Sequence, residues 1–100
     1  MPAHYRVIIS PHAIDDLEGI LDYVAQNSPA NAVKLIDRLI AEAESLELFP
    51  RRFSLARADP SYGPLRSMPS PPFRIIYEII EAQRTVRVLA IRHGAQRDWP

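Results

Sequence analysis

Two apolar runs near the C-terminus lie too close together to be independent elements. Phe73 to Ile80 (FRIIYEII) and Thr85 to Ile91 (TVRVLAI) are separated only by Glu81-Ala82-Gln83-Arg84. Ile, Val and aromatic residues suit a pleated surface, and a short polar link joins such runs as an antiparallel hairpin. Side chains alternate along a strand, so Phe73, Ile75, Tyr77 and Ile79 share one face, and Arg74, Ile76, Glu78 and Ile80 the other. In the second run Val86, Val88 and Ala90 oppose Arg87, Leu89 and Ile91. Both faces are largely apolar, which puts the hairpin in the middle of a sheet. It ends at Arg92-His93-Gly94, where apolar strand gives way to a polar tail, and function is expected near that end.

The rest of the chain supplies what such a hairpin packs against. Tyr5 to Ser10 reads as a short strand. Ser10-Pro11 then opens a helix, with Ser as the cap and Pro at the first helical position, where its missing N–H costs nothing. Asp15, Asp16 and Glu18 follow, read here as complementing the positive end of the helix dipole. Ala13, Leu17, Ile20 and Val24 mark its apolar side. Ser28-Pro29 repeats the start signal for a second helix that runs to Pro50. Its stripe, from Ala32 and Val33 through Leu39 and Ile40 to Leu46, is about 160° wide, against the ~100° that one surface requires. This helix therefore touches the core and something else, either the first helix or a partner chain. The short link makes the two an antiparallel helical hairpin. Residues 51–64 read as an irregular loop, Leu65 to Met68 as a short strand, and Pro69-Ser70-Pro71-Pro72 as the turn into the C-terminal hairpin. The expected fold is α+β, β-α-α-β-β-β. It is a mostly antiparallel sheet with the helical hairpin on one face, and the first strand pairs with a later one.

One hundred residues make one domain, spanning 1–100. The 47% apolar content supports a folded core. With no Cys there is neither a disulfide frame nor a thiolate metal site. No apolar run approaches a membrane span, and the opening residues lack the regions of a signal peptide, so a cytoplasmic location is expected. Net charge is zero, yet residues 1–50 carry −5 and residues 51–100 carry +5. Eleven of the twelve basic residues are Arg, which forks onto phosphate and carboxylate, so the asymmetry fits a basic face meeting an anionic partner. Its plainer reading is acids at helix starts and arginines solvating a sheet.

The order of these segments resembles the RelE/ParE superfamily of bacterial toxins from type II toxin–antitoxin pairs. The similarity runs over nearly the whole chain. It comprises the opening strand with SPHAIDDLEGILDYVAQNSP, the helix through ANAVKLIDRLIAEAESLELFP, and then LRSMPSPPFRIIYEI and VRVLAIRHGAQRDW. FRIIYEI and the strand ending in RHGAQRD are its most specific parts. The resemblance implies one of two activities. RelE-like and YoeB-like toxins cut mRNA on the ribosome, whereas ParE-like toxins poison DNA gyrase without a hydrolytic site of their own.

Cutting RNA through its 2′-OH needs a base, a cation for the phosphorane charge, and an acid for the leaving oxygen. Arg74 matches the family's strand arginine and His93 resembles the C-terminal histidine of the YoeB-like branch. Glu44 and Glu47 are candidates for the base only by position. The Arg51, Arg52 and Arg57 segment has no Lys, unlike the RelE-like pattern. Gly94 stands where the YoeB-like branch has Tyr, and no aromatic follows until Trp99. Structural readings stand beside these: Arg74 paired with Glu78, His93 tied to backbone at a strand end, and Phe73 and Tyr77 in the core. His4 and His12 have no acidic partner at ligand spacing, and Gly19, Gly63 and Gly94 form no phosphate loop, so no metal or cofactor is expected.

The reading favoured on the sequence is a gyrase inhibitor without catalytic residues, whose target-binding residues are Arg92, His93, Arg97 and Trp99. The alternatives are an mRNA interferase using Arg74 and His93, and a non-toxic binding module of the same fold. The resemblance also implies a ParD-like antitoxin in a hetero-oligomeric complex. Its C-terminal part, disordered alone, is expected to fold onto the helical hairpin at Tyr23, Val33 and Ile40 and to send acids toward Arg74 and Arg87. The antitoxin would carry the promoter-binding domain, so this chain is not expected to bind operator DNA or a membrane.

Overall fold

A computed structural model describes residues 4–59 and 63–94, with only the backbone described for 56–59. The elements, in chain order, are β1 (Arg6–Ile9), α1 (Pro11–Ala25), α2 (Pro29–Glu44), β2 (Leu55–Asp59), β3 (Gly63–Ser70), β4 (Phe73–Ile80) and β5 (Thr85–His93). Their sheet order is β1-β5-β4-β3-β2. The fold is the expected α+β one. The C-terminal hairpin is internal to the sheet, three pairings are antiparallel, and β1 pairs in parallel with β5. Both helices lie on one face. Ala13 and Leu17 of α1 and Leu39 and Ala43 of α2 share a buried cluster with Ile75, Tyr77, Val86 and Val88. The shortest dimension of the molecule, 21 Å, fits one helix layer on one sheet.

Both helix starts are built as their Ser-Pro pairs dictate. Ser10 Oγ accepts from the Ala13 N–H at 3.2 Å and Ser28 Oγ from the Asn31 N–H at 3.3 Å, each with Pro at the start of the helix. Asp15, Asp16 and Glu18 do not serve the dipole of α1, however. Its first turn holds no acid, and the dipole's influence fades beyond that turn. The second helix ends at Glu44, earlier than Pro50. A short helical turn, Ser45–Glu47, follows, and its carbonyls are collected by Arg52, whose guanidinium donates to Leu48 O at 2.5 Å and approaches Ser45 O at 3.4 Å. A basic side chain at a helix C-terminus satisfies orphan acceptors in this way.

Two differences from the expected sheet bear on function. Residues 51–64 are not simply a loop, because they contain β2, paired with β3 as an edge strand. β3 is also longer than Leu65 to Met68, and it includes Pro64 and Pro69. Pro64 is paired only with β2 and Pro69 only with β4, so neither missing N–H breaks a ladder bond. The second difference is a bulge in β5. Ile76 lies opposite Ala90 and Tyr77 opposite Val88, which leaves Leu89 without a partner on β4. Consecutive carbonyls there both turn toward Ser10, whose N–H donates to Val88 O (2.9 Å) and whose Oγ donates to Leu89 O (3.3 Å). The extra residue reverses the alternation. Ala90 joins Leu65 and Ile76 on the face away from the helices, and Ile91 joins the helix-side core.

Candidate functional site

Strand register sorts the arginines of the C-terminal half. Arg51 forms an ion pair with Glu81, which also accepts from the Tyr5 hydroxyl at 2.8 Å. The Arg51 pKa is raised, first by hydrogen bonding with Tyr5 and then by the Glu81 charge. Arg52 closes the short turn that follows α2, and Arg66 donates to Phe53 O at 2.7 Å. These three are occupied by the fold itself. Arg74, Arg87 and Arg92 instead leave the sheet on its open face, opposite the helices.

Arg74 and Arg92 are directly opposite each other on β4 and β5. Like charges facing across strands disfavour the pairing unless an anion or a polar group is shared between them. Arg74 donates to Ser67 Oγ at 3.3 Å, so the expected pairing with Glu78 does not form. Glu78 instead meets Arg87, its cross-strand neighbour, at 3.5 Å. The open face thus carries Arg74, Arg87, Arg92 and, on β1 in step with Ile8, Arg6, with the Glu78 carboxylate, around a small apolar cluster of Leu65, Ile76 and Ala90.

His93 leaves β5 on the other side. Its ring packs edge-on against Phe73 at 5.6 Å, and Phe73 packs on the helix-side core. It borders a cleft of about 560 Å³ between α1 and the end of the β4–β5 hairpin. Ile20, Val24, Leu35 and Ile91 give this cleft apolar walls, and Asp15, Asp16, Tyr23 and His93 give it polar ones. Tyr77, by contrast, is wholly buried and donates its hydroxyl to Pro50 O at 2.5 Å. It is a core residue, and burial raises its pKa above 10.0.

The residues singled out from the sequence therefore separate. Arg92 and His93 are adjacent in sequence, and although the alternation of β5 turns them to opposite faces, both line the cleft beside α1. Arg74 and His93, the pair for RNA cleavage, are likewise divided by the sheet. Glu47 lies at the opposite end of β5 from His93, since Glu47 O accepts from Tyr5 N–H beside the Arg6↔Thr85 pairing. Seven residue steps along the paired β4 separate the two ends by about 23 Å, and Glu44 is one helical turn before Glu47. Arg97 and Trp99 lie outside the described residues. Of the apolar surface residues, Tyr23 is 73% exposed and Val33 54%, while Ile40 is half-buried against the core. Tyr23 and Val33 both sit near the α1–α2 connection. The histidines do have acidic neighbours: His12 Nε2 is 3.6 Å from Asp16 Oδ2, and His4 is 4.0 Å from Glu47. Among the described residues these pairs do not extend to a group of three metal-binding side chains. No described helix is long and apolar enough to cross a membrane.

Residues 7–98 match the family described as ParE toxin of type II toxin-antitoxin system, parDE. Toxin RelE2 of Caulobacter vibrioides is 36% identical over 92 residues, which cover 91% of this chain and 97% of that protein. Solved structures of other toxins share the fold, three of them over more than nine-tenths of this chain. They are the chromosomal ParDE system of P. aeruginosa (TM-score 0.71, 20% identity, 91% of this chain and 97% of that one), the toxin–antitoxin complex RelBE2 of Mycobacterium tuberculosis (0.68, 20%, 94% and 95%) and the archaeal RelE-RelB complex of Pyrococcus horikoshii OT3 (0.65, 15%, 94% and 99%). A match across nine-tenths of the chain, together with the helical hairpin and the sheet order, shows that this chain is a type II toxin of the RelE/ParE superfamily.

Proposed function

We propose that the chain inhibits DNA gyrase by binding, without a catalytic site of its own, and that a cognate ParD-like antitoxin holds it inactive in a hetero-oligomeric complex. The observation that carries this reading is the dispersal of the parts that RNA cleavage needs. The cation Arg74 and the acid His93 are on opposite sides of the sheet. The candidate bases Glu44 and Glu47 are at its far end. Asp15 and Asp16 lie closer to His93, but they too are across the sheet from Arg74. What the open face does offer is a surface: arginines framing an apolar cluster. Arg and apolar anchors with shaped neighbours are the usual make-up of a binding interface.

The antitoxin reading is supported by the exposure of Tyr23 and Val33 on the helical hairpin and by the cationic open face. Because these lie on different sides of the molecule, an antitoxin that meets both wraps around an edge of the sheet. The solved structures of the RelBE2, ParDE and RelE-RelB systems lend support for a partner of this kind. The antitoxin, not this chain, would bind operator DNA. The toxin would act in the cytoplasm, where gyrase is found.

Expression of the chain without an antitoxin tests the reading. The expected sequence of events is DNA breaks, an SOS response and filamentation, with protein synthesis failing only later. Rapid ribosome-dependent mRNA cleavage with intact chromosomes, abolished by Arg74→Ala or His93→Ala, would overturn it in favour of an interferase. Unimpaired growth at full expression would point to a non-toxic binding module.

A further inference from the structure

We propose that Asp16 is a positioning residue that holds the Arg92–His93 end of β5 in place for the target. This rests on the reading above that this end of the molecule meets gyrase. β1 stops short of this end of the sheet. Its pairing with β5 ends at Ile9↔Val88, and Ser10 then takes the carbonyls of Val88 and Leu89. From Ala90 onward β5 has β4 on one side and, among the described residues, no strand on the other. A strand end held from one side only is where local opening is cheapest.

The Ile91 N–H at this point is taken by Asp16 Oδ2 at 2.9 Å, 75 residues away in sequence. A carboxylate is a stronger acceptor than a backbone carbonyl, and this one is three-quarters shielded from water. His12 lies 3.6 Å from the same oxygen but is 63% exposed, and such a screened pair contributes little. The backbone N–H is thus the principal partner of Asp16. The bulge at Leu89 prepares this contact, because it turns Ile91 to the helix side, where its side chain is buried. Arg92 and His93 follow immediately. On the β4 side the end is fixed by Gly94 N–H donating to Pro72 O at 2.6 Å. A Cβ at position 94 would come within 3.0 Å of that oxygen, so glycine keeps the approach open. The two ties grip the Arg92–His93 pair from both sides, and only the Asp16 tie depends on a side chain.

The test compares Asp16→Ala, Asp16→Asn and Arg92→Ala with the parent toxin. Amide hydrogen exchange is read residue by residue, and gyrase-dependent trapping of cleaved DNA is measured per amount of folded protein. In Asp16→Ala the Ile91 amide is expected to exchange ~10-fold faster or more, the loss expected for a hydrogen bond to a charged group. Val86 and Val88 should keep their rates. Trapping should fall ~10-fold or more, and Asp16→Asn, which keeps an acceptor oxygen, should restore much of both. An unchanged Ile91 rate overturns the inference. So does equal acceleration of every sheet amide, which would make Asp16 merely structural. If Ile91 loosens selectively and trapping is unchanged while Arg92→Ala abolishes it, positioning fails and the functional reading stands. If Arg92→Ala also traps normally, the placement of the target surface at this end fails instead.

Discussion

Tyr77 shows how one side chain joins the sheet to the segment leaving the helices. It is the largest wholly buried side chain among the described residues, and its hydroxyl closes on Pro50 O. Its folded pKa is raised by burial above 10.0, so the folded state holds the phenol proton more tightly than the unfolded chain does. The stabilisation tied to that proton is complete below pH 10 and is lost as pH rises through the folded value. Denaturation followed from pH 8 into the alkaline range should therefore show falling stability. Tyr77→Phe should flatten that fall while costing roughly 1–3 kcal/mol at neutral pH, because Pro50 O is left buried without its donor. Equal alkaline sensitivity in the Phe variant would assign the titration to another group. Arg74 and Arg92 make the complementary point about charge. They lie opposite each other, so Arg74→Ser, which relieves that opposition and gives up one exposed hydrogen bond to Ser67, should change stability little while weakening partner binding. A large loss of stability on chemical denaturation would show that Arg74 serves the fold rather than an interface.

At the scale of elements, α2 divides its residues between two tasks. Leu39 is fully buried, and Leu39→Ala should cost roughly 2–5 kcal/mol in urea denaturation. A loss under about 0.5 kcal/mol would contradict its place in the core. Val33 and Tyr23 face outward near the tip of the helical hairpin, and Val33→Glu with Tyr23→Glu should weaken antitoxin binding by ~10-fold or more in calorimetry, as loss of apolar anchors does. Ile40 is less suited to that test, since it packs on the core and its replacement would unsettle the fold as well. Unchanged affinity in the Tyr23/Val33 double variant would move the antitoxin groove elsewhere. Elements of this kind were legible in the sequence wherever the signal is local. Ser10-Pro11 and Ser28-Pro29 marked the helix starts, and the Ile/Val-rich runs marked the central hairpin. β2 was not legible: Leu55-Ala56-Arg57-Ala58-Asp59 has no β-branched residue, and its extended state comes from pairing with β3. The bulge at Leu89 was hidden because it depends on Ser10, 79 residues away. For the same reason Asp16 looked like an ordinary helix acid, and the Arg74–Arg92 opposition could be read only once the register was known.

For the molecule as a whole, the split between an acidic N-terminal half and a basic C-terminal half becomes a split between layers. The acids lie mainly on the helical hairpin and the arginines mainly on the sheet. Arg51, Arg52 and Arg66 tie the segment after α2 to the rest of the fold, and the basic character of the open face comes from Arg6, Arg74, Arg87 and Arg92. The tail beyond Gly94, with Arg97 and Trp99, adds the residue types that most often anchor an interface. Truncation after Gly94 should abolish toxicity and leave antitoxin binding to the helical hairpin intact. A fully toxic truncated chain would show that the tail is not part of the target surface. The most direct test of the central claim uses purified components: the toxin freed of antitoxin, DNA gyrase and supercoiled plasmid in one reaction, and a cell-free translation system in another. Cleaved plasmid trapped with gyrase is expected, suppressed by prior addition of antitoxin, while translation and its mRNA remain intact. Intact plasmid together with ribosome-dependent cuts in the mRNA would contradict it.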